Sequence, residues 1–180
     1  MLRVKANQLK AEIPVIISNH PMAETLAKKE GIDFHLLPIT KQNKEAQEEI
    51  EEQLLKKYDI DLIVLARYHQ ILTPFLINKY ENRIINIHHS FLPAFPGGNP
   101  YKQAFEKGVK IIGATSHYVT ETLDDGPIIF QDTTPISHRD NLSDLVQKGM
   151  DLEEIVLFRA VKCHLERKIL VYNKKTVNFD

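Results

Sequence analysis

The chain has a single cysteine, Cys163. That excludes an internal disulfide and fits a reducing compartment, and its place between Val161 and Leu165 in a helical pattern reads as packing. Glycine is scarce as well: there are 7, and Gly31 is the only one before Gly97. Neither GxGxxG nor a Walker-type loop occurs, so a nucleotide-phosphate cradle is excluded. No sign of charge prevails. Lys+Arg 23 against Asp+Glu 24 leave a formal net charge of -1, which gives no basic field to draw nucleic acid or an anionic membrane. Long apolar runs are absent too. LIVLA (62–66) falls far short of the roughly 20 residues of a membrane span, and MLRVKANQLKAEI has no signal-peptide core. These absences leave a cytoplasmic protein with a small-molecule partner. No repeat, low-complexity tract or flexible linker interrupts it.

What is present alternates. The 180 residues, 43% hydrophobic, suffice for one globular domain with a real core. VIIS (15–18), DFHLLPI (33–39), IDLIVLA (60–66), RIINI (83–87), IIGATSHYV (111–119) and IIFQD (128–132) read as strands. Between them PMAETLAKKE (21–30) opens with a proline, which a helix's first turn tolerates. KEAQEEIEEQLLKKY (44–58) places Ala46, Ile50, Leu54 and Tyr58 at helical spacing, which makes its acidic run a solvated helix face. After Arg139 comes one long amphipathic helix, or two broken at Gly149. ILVY and KTVNF then form a hairpin around Asn173 and Lys174. Strand–helix alternation predicts an α/β, Rossmann-like fold: a mostly parallel open sheet with helices on both faces.

In such sheets ligands bind beyond the carboxyl ends of the strands, and there the sequence turns polar. NIHHSFLPAFPGGNP (86–100) begins as the end of a strand and spills into a Pro/Gly loop. Side chains alternate along a strand, so Asn86 and His88 share one face and Ile87 and His89 the other. An amide N–H beside an imidazole suits chemistry on a carbonyl: one can stabilise an oxyanion, the other can move a proton near neutral pH. Asp124, in LDDGPII, is placed to orient the imidazole, with Asp125 the alternative by sequence alone. A plainer reading accounts for the same residues as a strand-end cap, structural histidines and a DDG turn. Metal binding by His88 and His89 is disfavoured, since neighbours on a strand diverge and neither further Cys nor HxxxH accompanies them.

Taken together, residues 86–131 with SNHP (18–21), LARYHQIL (65–72) and QKGMDLEEIVLFRAVKCHLE (147–166) resemble the formyltetrahydrofolate deformylases, relatives of the glycinamide ribonucleotide transformylases. The resemblance covers nearly the whole chain. It implies the formyltransferase fold, an Asn86–His88–Asp124 catalytic set (the LDxGP pattern selecting Asp124 over Asp125), and hydrolysis of 10-formyltetrahydrofolate to formate and tetrahydrofolate. That activity supplies formate for purine synthesis and balances the one-carbon folate pool. The implied mechanism has Asn86 and protonated His88 stabilising the oxyanion, and Asp124 positioning the water and holding His88. It requires no metal and no cofactor; the partners are folate and water. The pterin cleft is expected between the segments matching Tyr68, His69, Gln70, Ile71 and Leu72 and those matching His117, Tyr118, Val119, Thr120 and Leu123, with Leu65 and Ile84 as walls or core. His89, where the transformylases usually have proline, is a candidate determinant of water over an amine acceptor. The alternatives are formyl transfer to an amine such as glycinamide ribonucleotide, or folate binding without turnover.

Two departures stand out. His69 occupies a position where the resembled family more often has methionine. The chain also begins inside what resembles that family's first helix, so residues 1–180 are expected to be the catalytic domain without its first, central strand and without the ACT-type regulatory domain. The sheet must then leave a gap between VIIS and LIVLA, close it, or borrow a strand from a second copy as a homo-oligomer; lower stability than an upstream-extended chain is expected.

Overall fold

Where PMAETLAKKE lets proline open a helix, the chain enters a 3-10 turn at Pro21–Ala23. The computed structural model describes residues 1–40, 42–68, 70–92 and 100–179. It forms two compact units, Met1–Asp61 with Leu72–Lys79 and Leu62–Ile71 with Tyr80–Asp180.

The first unit holds α1 (Leu2–Lys5), β1 (Val15–Ser18), α2 (Glu24–Glu30), β2 (Asp33–Leu36), α3 (Lys44–Lys57) and α4 (Pro74–Lys79). Gly31 ends α2 in the left-handed region at φ 69°, where a side chain would be strained. β1 and β2 pair in parallel, Val15 opposite Asp33 through Ser18 opposite Leu36.

α3 corrects the sequence reading. Its buried residues are Glu48, Glu51, Glu52 and Leu55, an i, i+3, i+4, i+7 stripe offset from the expected one, while Ile50 is exposed. Two of the three glutamates, Glu48 and Glu52, are buried with partners. Glu48, 1% exposed, accepts from the Thr73 N–H at 2.9 Å and from its hydroxyl, at the start of α4. Glu52 accepts from Lys56 at 2.7 Å and Lys79 at 2.9 Å, and those hydrogen bonds hold its carboxyl below the ordinary range. Burial, then Glu48, pushes Glu51 up to about 7. Glu48→Ala is expected to cost roughly 1.5–3 kcal/mol, the scale for hydrogen bonds to a charged group, read as a lower urea midpoint with unchanged slope.

The second unit holds β3 (Ile63–Leu65), β4 (Ile84–His88), α5 (Pro100–Lys107), β5 (Ile111–Tyr118), β6 (Ile128–Pro135), α6 (Leu142–Leu165), β7 (Ile169–Tyr172) and β8 (Lys175–Asn178). One sheet has the order β3-β4-β5-β6. β3 and β4 are parallel, and β5 is antiparallel to both β4 and β6. Three of the four strands therefore share a direction, as expected, and β5 is the reversed one. No crossover helix separates β5 from β6, and a short return connection makes an antiparallel pair.

α6 opens with a capping box: the Asn141 side chain accepts from Asp144 N–H while the Asp144 side chain accepts from Asn141 N–H. It then runs unbroken through Gly149, settling the choice between one helix and two. Its Leu152 and Val156 pack with Ala114, Ile87 and Phe130, which fixes Ile87 on the core face and turns Asn86 and His88 away from it. The expected hairpin is present, with Asn173 and Lys174 at φ 47° and 58°, as a two-residue primed turn requires.

Candidate active site

The reversal of β5 sets the site's geometry. β5 enters beside the end of β4, Thr115 opposite His88, and leaves beside its start, Tyr118 opposite Ile85. The segment after β5 therefore emerges at the opposite sheet edge from the end of β4. Directly opposed residues share a face, so His117 and Thr115 join Asn86 and His88. Residues 119–127 fold back over that face and bring Asp124 to it.

Gly126 makes this return possible. A Cβ there would lie 1.7 Å from the Tyr118 carbonyl oxygen, so only glycine lets the strand of the loop lie so close. Asp124 itself sits at φ 54°, a left-handed conformation that aspartate adopts more readily than most residues. Gly126→Ala is expected to displace Asp124 from the two imidazoles it faces; the ring NMR signals of His88 and His117, read beside a thermal melt, check it.

The Asp124 carboxylate lies between two imidazoles: Oδ2 is 3.2 Å from His88 Nδ1 and Oδ1 is 3.4 Å from His117 Nε2. His117 is 2% exposed, and its Nδ1 donates to the Tyr118 carbonyl at 2.9 Å. Its Nε2 also meets the Asn86 amide nitrogen at 3.3 Å. An amide nitrogen has two hydrogens; one is directed at His117, which fixes the amide, and the other is free to serve a ligand oxygen.

His88 is held by Nδ1, and its Nε2 is buried with no partner among the described residues. Burial lowers its pKa from the ordinary 6.5; Asp124 opposes the shift, and His89 and His117 add to it. Burial thus favours the neutral imidazole at rest. A neutral ring donating from Nδ1 to a carboxylate presents a proton acceptor at Nε2. The segment after β4 is tied down by buried Thr115, whose hydroxyl donates to Ser90 O at 2.9 Å and accepts from Leu92 N–H at 3.2 Å and Gln131 Nε2 at 2.8 Å.

The other residues named from the sequence divide. Leu65, Tyr68, His89, Val119 and Thr120 are partly exposed, and Gln70, Ile71 and Leu123 exposed. Ile84, 1% exposed, is core. The Tyr118 side chain points away from Asp124, with its hydroxyl 2.7 Å from His164 Nδ1 on α6. Leu72 is buried in the first unit. His69 and the Pro93–Gly98 loop lie outside the described residues. Asp125 is exposed, so the geometry selects Asp124. The sequence did not reveal that His117 holds the Asn86 amide and faces Asp124. Only its pairing register shows that, and register depends on the direction of β5.

Residues 1–161 match the formyl transferase family. A formyltetrahydrofolate deformylase of Synechocystis sp. is 61% identical over 177 residues, covering 98% of this chain and 62% of that protein. One of Bacillus subtilis is 54% identical over 179 residues, 98% of this chain and 59% of that one, so the chain spans about three fifths of these relatives. Among solved structures, a formyltetrahydrofolate deformylase from Pseudomonas syringae superposes with a TM-score of 0.95 at 45% identity, over 99% of this chain and 60% of that chain. Glycinamide ribonucleotide transformylase 1 from Symbiobacterium toebii gives 0.90 at 31%, over 99% and 85%. An Asn–His–Asp constellation on this α/β sheet, with a family match over most of its length, places the chain in the formyl transferase family.

Proposed function

We propose that this protein hydrolyses 10-formyltetrahydrofolate to formate and tetrahydrofolate. The observation that carries the reading is the Asp124–His88 pair, which leaves His88 Nε2 without a partner among the described residues, on the strand face it shares with Asn86. The substrate comes from the relatives that bear the deformylase name. Water attacks the formyl carbon and gives a proton to His88 Nε2, while Asp124 supports the imidazolium that forms. The carbonyl oxygen becomes an oxyanion and takes the second Asn86 N–H. The tetrahedral intermediate then collapses, the C–N10 bond breaks, and the His88 proton passes to N10 to release the amine. Formate and tetrahydrofolate leave, and the imidazole is neutral again.

In this reading residues 1–180 serve as the catalytic domain, in the cytoplasm, and the formate feeds one-carbon metabolism. Side chains supply all the chemistry without a metal or cofactor, so dialysis against EDTA is expected to leave formate release unchanged. A transformylase-like reading is also supported by the likeness to the Symbiobacterium enzyme. Incubation with 10-formyltetrahydrofolate, with and without glycinamide ribonucleotide, separates the two: formate in both tubes supports hydrolysis, and product only with the amine supports transfer.

A further inference from the structure

Gly149 lies one turn before Glu153 on α6, and the ring of Tyr101, from α5, sits against both. A Cβ at residue 149 would fall 2.2 Å from the Tyr101 hydroxyl and 2.3 Å from its ring carbons. Glycine thus makes room for the ring in the middle of a helix, where it is otherwise unfavourable. The Tyr101 hydroxyl donates to Glu153 Oε1 at 2.5 Å, a short bond to an acidic acceptor. Burial, then Glu153, pushes the phenol's pKa up, so Tyr101 stays the donor.

On its other side the Tyr101 ring meets the His89 ring, with centroids 6.0 Å apart at 43°. His89 departs from the opposite-face placement expected of it: it lies beyond the end of β4, where strand alternation no longer holds, and stacks on His88 at 5.0 Å and 15°. The contacts therefore run from α6 to the imidazole that Asp124 holds. Asp124 grips that ring at one edge atom only, and a ring held at one atom still tilts unless its face is also supported. His89 supplies the support, and Tyr101 backs it. Simple packing would need an aromatic ring but neither a helix glycine nor a carboxylate aimed at the hydroxyl. Packing beside Glu153 is in fact loose, since a cavity of about 160 Å³ opens there between Arg67, Ile87 and Glu154.

We propose that Glu153 and Tyr101 are positioning residues that set the His89 ring against His88 and so hold the catalytic imidazole at its working tilt. This rests on the hydrolytic reading of the same site. The test compares Tyr101→Phe, Glu153→Ala and Glu153→Gln with the unmodified chain in formate release, thermal melting and the ring NMR signals of His88 and His89. Losing the hydroxyl bond is expected to lower kcat about tenfold, the scale of a small misplacement of a catalytic group, with KM within about twofold. Glu153→Gln, whose amide oxygen still accepts, is expected to recover most of the turnover lost in Glu153→Ala. The His89 and His88 ring signals should move in Tyr101→Phe, at temperatures well below the melting transition of either chain.

Turnover within about twofold of the unmodified chain in both Tyr101→Phe and Glu153→Ala would overturn the proposal. So would a loss of kcat matched by a fall in melting temperature, with no movement of the His88 signal. If the unmodified chain releases no formate, the hydrolytic reading fails by itself. The ring signals then decide the positioning contact, and a His89 signal unmoved in Tyr101→Phe overturns it.

Discussion

His88→Ala lowers formate release at least about a hundredfold, the scale for losing a general acid–base group, while folate affinity changes no more than about threefold. The effect is large because no other described side chain can replace it. His117 also faces Asp124, but its Nδ1 donates to the Tyr118 carbonyl and its Nε2 accepts from the Asn86 amide, so neither nitrogen is left to take a proton. In the unmodified protein the acid limb of kcat/KM should lie below the ordinary 6.5, because burial lowers the His88 pKa. Stability follows the same sign. With the folded pKa below the unfolded one, the unfolded chain binds more protons in the window between them. The stabilisation from His88 is then full above pH 6.5 and is lost as pH falls through that window. An acid limb above 6.5 would contradict burial as the controlling cause.

Asp124→Asn is expected to cost about as much, roughly a hundredfold or more by analogy with removing the carboxylate that orients a catalytic histidine. The substitution keeps the shape of the side chain, and asparagine tolerates the φ of 54° at this position at least as well as aspartate. The loop should therefore stay where Gly126 and Pro127 put it. What disappears is the negative charge between His88 and His117, which in the proposed mechanism supports the imidazolium as it forms. Asp125→Asn, at an exposed site, should leave turnover within about twofold. The reverse pattern would transfer the role to Asp125, and equal losses would point to loop displacement instead. A thermal melt of each variant separates that last case.

Much of this site was legible because alternation along a strand is a strict rule. Once RIIN is a strand with Ile87 facing the core, Asn86 and His88 must project together on the other face. Asp124 and Asp125 could not be separated by composition, because a DDG turn satisfies either; exposure of Asp125 and the imidazole contacts of Asp124 made the choice. The direction of β5 was hidden for a different reason. Hydrophobic patterning reports that a strand is buried and says nothing of which way it runs.

One helix was misread and another left open, each for a physical reason. α3 has two candidate stripes, and the apolar one lost because Thr73, Lys56 and Lys79 give Glu48 and Glu52 better partners. Gly149 left a break as an alternative to one long helix, since nothing in the sequence announces that Tyr101 occupies the space where its side chain would be.

The most direct test is hydrolysis in water enriched with oxygen-18. The account predicts that the unmodified protein converts 10-formyltetrahydrofolate to equal amounts of formate and tetrahydrofolate, with one labelled oxygen in each formate, and that His88→Ala and Asp124→Asn lose this product together. Tight folate binding with no labelled formate above the uncatalysed background would contradict it.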